Sequence, residues 1–72
     1  MKTYDYLKTI TDEEKLHVGM YGIYVKDAHF LKSDLRGLID CEDFLSIQGS
    51  LDEDEVYIGV EVFINTPDEI DM

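Results

Sequence analysis

The chain has 72 residues, 17 of them Asp or Glu and 6 of them Lys or Arg, giving a formal net charge of -11. That length allows one small domain over residues 1–72, which buries only about 60% of its unfolded surface and has little stability to spare. One cysteine excludes an intrachain disulfide, no apolar run is long enough to span a membrane, and the shortage of Lys and Arg disfavours direct binding to nucleic acid or an anionic membrane.

Residues 1–10 read two ways. Tyr4 and Tyr6 alternate as in a strand, whereas Leu7 and Ile10 suit a short helix. Thr11-Asp12-Glu13-Glu14 matches a capping box, with Thr11 at the N-cap and Glu14 at N3. It would open a helical turn reaching His17 and ending at Gly19. The competing arrangement is a hairpin: strand 3–10, turn 11–14, strand 15–25. The helical reading is preferred for the first segment.

Residues 18–25 predict a strand apolar on both faces. Val18, Met20 and Tyr24 lie on one side, and Tyr21, Ile23 and Val25 on the other. Such a strand is central, or has one side at an interface. Gly19 and Gly22 leave room for a neighbouring backbone or ring. Ser33 is placed to cap a helix from Asp34 to about Cys41, with Leu35, Leu38 and Ile39 as its buried stripe. Gly37 weakens that helix by about 1 kcal/mol relative to Ala. Asp40, Glu42 and Asp43 stand near its C-terminus, where carboxylates oppose the helix dipole. That placement favours use over stability.

Phe44 to Ile64 organises the chain. Leu45, Ile47 and Leu51 alternate with Ser46, Gln48 and Ser50, and Val56, Ile58, Val60, Val62 and Ile64 share a face. Period-2 alternation rich in β-branched residues marks half-buried strands, so a hairpin 44–51/56–64 is expected. A symmetric turn sets Leu51 opposite Val56, Ile47 opposite Val60 and Leu45 opposite Val62. Its tip, Asp52 to Glu55, carries four carboxylates. Pro67 then breaks the strand, leaving residues 66–72 as an acidic tail expected to be mobile. The fold class is α+β: a small antiparallel sheet of three to four strands, including this hairpin, with one or two short helices.

The tip fails the calcium-loop pattern, because Val56 and Tyr57 occupy positions that require an oxygen ligand and a glycine. His17, His29 and Cys41 are spaced too widely for a compact zinc site. Carboxylates around Cys41 disfavour a reactive thiolate. No cofactor, metal or catalytic residue is assigned, and the chain is read as non-enzymatic. A lone cysteine and an N-terminus without an apolar leader suggest the cytoplasm, that of the host cell if the protein is phage-encoded.

The charge is segregated along the sequence. All cations lie at or before Arg36, balanced there by six carboxylates. After Arg36 come Asp40, Glu42, Asp43, Asp52, Glu53, Asp54, Glu55, Glu61, Asp68, Glu69 and Asp71 with no cation. An acidic field of one sign favours a basic protein partner and speeds its capture. Carboxylates on alternate strand positions recur about every 6.6–6.8 Å, a scale comparable to phosphate spacing. Asp40, Glu42, Asp43, the tip Asp52–Glu55 and Glu61 are therefore candidate partner-binding residues along one edge, with Tyr57 as an aromatic anchor. In its size and its surplus of carboxylates the chain resembles phage-encoded inhibitors of host defence, the anti-CRISPR and antirestriction proteins, though no family motif carries the likeness. That resemblance implies a phosphate-mimicking inhibitor of a basic nuclease or nucleic-acid-binding complex. A toxin or bacteriocin immunity protein, or an antitoxin, follows the same charge logic. A small accessory subunit of an oligomer, homodimer included, is the reading from a different class.

Overall fold

The structure is a computed structural model describing residues 1–65. The expected mobile tail, 66–72, lies outside the described residues. The chain opens with helix α1 (Thr3–Ile10), which buries Thr3 and Leu7 and lays Tyr4, Tyr6 and Ile10 along the margin of the core. Thr11 does not open a further helix as a capping box would have it. It ends α1, its extended backbone donating an N–H to the Leu7 carbonyl at 3.0 Å. Only a single 3-10 turn, Glu13–Lys15, follows. The helical reading of the first segment holds, but the helix lies before Thr11 because Leu7 supplies its buried side there.

Strand β1 (Leu16–Val18) and strand β2 (Gly22–Val25) pair antiparallel, with His17 opposite Tyr24 and Val18 opposite Ile23. The single strand expected over 18–25 is thus folded back on itself. The Gly19 N–H donates to the Gly22 carbonyl at 2.8 Å, and Met20 and Tyr21 project from the turn into solvent. Gly22 is required where the backbones meet: a Cβ there would strike the Val62 carbonyl and the Phe63 Cα of the neighbouring strand.

A second 3-10 turn, Lys32–Asp34, leads into helix α2 (Leu35–Ile39). Ser33 makes no cap; the Asp34 carboxylate accepts the Leu31 N–H instead, at 3.0 Å. Leu38 is fully buried and Leu35 half-buried, but Ile39, expected in the same stripe, faces water. Strands β3 (Phe44–Leu51) and β4 (Tyr57–Ile64) complete a sheet of order β1-β2-β4-β3, antiparallel throughout. The fold is therefore α+β, with four strands and two short helices among the described residues.

The hairpin register differs from the symmetric one. Leu51 faces Tyr57, Ile47 faces Val62 and Phe44 faces Ile64. Two bulges explain the shift. Gly59, at φ +59°, is the extra residue on β4 between the pairs Ser50–Ile58 and Gln48–Glu61. Leu45 is the extra residue on β3, between Phe44 and Ser46. An extra residue reverses which face the following side chains take. Tyr57, Val60, Val62 and Ile64 therefore point into the core, while Ile58 and Leu45 point out. The shared apolar face expected for Ile58 and Leu45 is lost.

One face of the sheet is covered. There Leu16, Ile23, Val25, Val60, Val62 and Ile64 pack with Leu7 of α1, Leu38 of α2, and Ala28 and Phe30 from the segment after β2. Phe30 and Tyr57 stack with ring centroids 5.1 Å apart. The other face has no second layer among the described residues.

Candidate binding surface

The uncovered face is organised by register. His17, Tyr24, Glu61 and Gln48 lie directly opposite one another across all four strands, forming one transverse row. Glu61 takes the inner position of this row, half-buried between Tyr24 and Gln48. Phe63 lies one row along, beside the exposed Met20, Tyr21 and Leu45, and with them lines a shallow groove. Ile58, 51% exposed, lies toward the tip. Aromatic and aliphatic side chains thus face solvent with a carboxylate at their centre.

The β3–β4 tip is a built loop. Oδ1 of Asp52 accepts the N–H groups of both Asp54 and Val56 at 2.9 Å, and the Glu55 N–H donates to the Asp52 carbonyl at 3.1 Å. Glu55 takes φ +61° to close it. Asp52 is exposed but spends its carboxylate on the loop, whereas Glu53 and Asp54 project freely. The segment after β2 runs beside the tip: Leu31 bridges to Val56, the Lys32 N–H donates to the Glu55 carbonyl, and the Tyr57 N–H donates to the Phe30 carbonyl. Asp27, His29 and Lys15 consequently join Asp52 and Asp54 around one depression of about 540 Å³. Lys32 and Arg36 flank Glu55 on the other side.

The cations segregated in sequence are therefore partly returned to the acidic half by folding. Even so, no ion pair reaches a tip carboxylate among the described residues; the pairs are Lys2–Glu42, Lys8–Asp5 and Lys15–Asp12.

The remaining candidates separate. Asp40 is exposed just beyond α2, and Glu42 is exposed and paired with Lys2 at 3.4 Å. Asp43 is buried, its Oδ1 accepting the Thr3 N–H at 2.7 Å and the Thr3 hydroxyl at 2.6 Å. Tyr57 is buried against Phe30. Neither Asp43 nor Tyr57 is available at the surface: one closes the first turn of α1, and the other was turned inward by the Gly59 bulge. Asp40 and Glu42 stand at one end of β3 and the tip at the other, with the uncharged strand between them, about 26 Å for eight residues. Glu61 lies on the open face of β4, not on the edge. The carboxylates do not form the single edge row expected of them.

Among the described residues the ionisation of Tyr4, Tyr6 and Cys41 is pushed up, burial being the first cause in each. Burial, reinforced by the nearby Asp43, pushes the Cys41 thiol up, and its Sγ donates to the Gly37 carbonyl at 3.3 Å. Burial and then Asp34 raise Tyr6, whose hydroxyl donates to the Asp34 carbonyl at 2.8 Å. Among the described residues no three His, Cys, Asp or Glu side chains gather to hold a metal. The arrangement offers projecting carboxylates and an uncovered sheet face, features suited to binding. Reading the sequence missed the transverse row and the approach of Lys15, Asp27 and His29 to the tip. The outward positions of the alternation held the first signal; the second is a tertiary contact. Comparison with known proteins matched no family model, no curated protein and no solved structure.

Proposed function

We propose that this chain is a non-enzymatic acidic inhibitor that covers a cationic, nucleic-acid-binding surface of a partner protein, in the manner of phage anti-defence proteins. The observation that carries this reading is the exposed sheet face, where Tyr24, Phe63 and Ile58 surround Glu61, with the unpaired carboxylates Glu53 and Asp54 at one end. An interface with aromatic anchors and a charged rim is the usual anatomy of protein recognition. A small domain gains nothing in stability from apolar side chains left in water. The separated acidic ends suit two cationic patches on the partner, in place of one continuous phosphate-like run.

The test is binding of a basic nuclease or nucleic-acid-binding protein across a salt series, with wild type and with Glu53→Gln/Asp54→Asn. Wild-type affinity should fall steeply as salt rises, and the variant should bind more weakly with a shallower salt slope. Identical curves would remove the acidic tip from the reading.

The uncovered apolar residues also favour the accessory-subunit reading. It predicts an oligomer that survives high salt in sedimentation, where the inhibitor reading predicts a monomer that assembles only with its basic partner.

A further inference from the structure

We infer that the outer edge of β3 accepts an extended strand of the partner, one that carries cations at both ends of an uncharged stretch of about eight residues. The inference rests on the inhibitor reading and specifies how the partner is held.

β3 is an edge strand of eight residues, whereas the opposite edge, β1, has three. The direction of its backbone groups follows from the ladder. The Ile64 N–H is turned toward Tyr21, on the β2 side. Alternation then turns Glu61 and Phe63 toward β3, where they meet Gln48 and Ser46. Ile47, between those two, directs its backbone N–H and carbonyl outward. The same holds near the tip: the Asp52 N–H points inward to the Val56 carbonyl, and the Tyr57 N–H points away to Phe30. Leu51 is left facing out.

Sheets ordinarily blunt a long edge with Lys, Pro or a charge on the strand. Phe-Leu-Ser-Ile-Gln-Gly-Ser-Leu has none of these, and only the Leu45 bulge interrupts it.

Charge selects the occupant. Asp40 and Glu42 precede this edge at one end, Glu42 already paired with Lys2 so that Asp40 supplies the uncompensated anion there, and Asp52 to Glu55 stand at the other end. A second copy paired antiparallel would set the first group against the second; paired parallel, it would set each group against itself. Both alignments bring like charges together. A strand with terminal cations meets opposite charge at each end and a neutral, hydrogen-bonding edge between.

Two synthetic peptides of equal composition test this against the full chain. One has alternating threonine and valine with two lysines at each end; the other carries its four lysines together at the centre. The end-lysine peptide should bind about tenfold more tightly at low salt. It should also slow amide hydrogen exchange at Ile47 and Leu51. Equal affinities, absence of binding, or unchanged exchange at those amides would overturn the inference. So would protection that grows with protein concentration without peptide, which would mark self-pairing. The inhibitor reading falls separately, by the salt series on a basic protein with Glu53→Gln/Asp54→Asn.

Discussion

Asp43 and Thr3 lie forty residues apart in sequence, yet one carboxylate oxygen accepts both the backbone N–H and the hydroxyl of Thr3, at 2.7 and 2.6 Å. Helix α1 has no side-chain cap from Lys2, so its first turn is closed by the segment that leads into β3. A single acidic side chain therefore fastens the N-terminal helix to the hairpin. Asp43→Ala leaves the buried Thr3 groups without that acceptor and should cost about 1–3 kcal/mol. In a domain of this size each kcal/mol corresponds to about 4–8 °C in Tm. Asp43→Asn retains one oxygen and should cost less. Urea unfolding of both variants, with the exposed neighbour Glu42→Ala as a control that should stay near wild type, checks the assignment.

Gly37 looks like a defect in α2, and replacing it with Ala would raise helix propensity by about 1 kcal/mol. The fold opposes this. A Cβ on Gly37 would fall on the ring and hydroxyl of Tyr6, which is itself bonded to the Asp34 carbonyl. Gly37→Ala should therefore destabilise, by about 1–3 kcal/mol, as overpacking does. In a Tyr6→Ala background the same change should become neutral or stabilising. A double-mutant cycle by urea unfolding reads the coupling directly.

These two contacts mark where the sequence stops being legible. Alternation located β3 and β4, and the spacing of Leu35 and Leu38 located α2, because both signals are local. The phase within the hairpin was not legible, since it depends on Gly59 adopting a positive φ and on Leu45 being extruded. Each residue looks ordinary in a one-dimensional pattern, and each bulge reverses the faces beyond it. Val18 to Val25 reads as one strand because both of its faces are apolar; the glycines mark a close approach of another backbone, but no local signal shows that the chain reverses between Gly19 and Gly22. Asp43 and Tyr57 read as surface candidates in the sequence because charge and aromaticity say nothing about burial, yet both are buried. Glu53, Asp54 and Glu55 stayed at the surface because a hairpin tip has nowhere else to put them.

Gly59 gives a test of the bulge itself. No heavy atom beyond its chain neighbours lies within 4 Å of where its Cβ would sit, so Gly59→Ala creates no clash. Its cost is then the left-handed backbone alone, about 1–2 kcal/mol. Gly59→Asn should cost less, because Asn tolerates that region. If Gly59→Ala proved neutral in urea unfolding, the bulge would not be held at this residue.

Cys41 links stability to alkaline pH. Its thiol is raised above the usual value of 9.0 by burial first and by Asp43 second. The folded state thus holds the proton where the unfolded state has begun to release it. This stabilisation is fully present below pH 9 and is lost as pH rises through the folded-state value. Cys41→Ala should flatten the fall of stability above pH 9, measured by urea unfolding at a series of pH values. Native Cys41 should also react with iodoacetamide more slowly than the unfolded chain, because the thiolate is the nucleophile.

The acidic tip has to be tested without dismantling it. Asp52 holds the loop through the N–H groups of Asp54 and Val56, so replacing all four tip carboxylates would confound binding with loop structure. Asp52→Ala should lower the unfolding midpoint and weaken partner binding together. Glu53→Gln/Asp54→Asn leaves those bonds in place and should leave the midpoint unchanged. The affinity of that double variant for a basic partner should still fall, and its salt dependence should become shallower as two charges leave the interface. Loss of binding in Asp52→Ala alone, with the double variant matching wild type at every salt concentration, would mean that the tip acts through its shape and that its free carboxylates contact nothing.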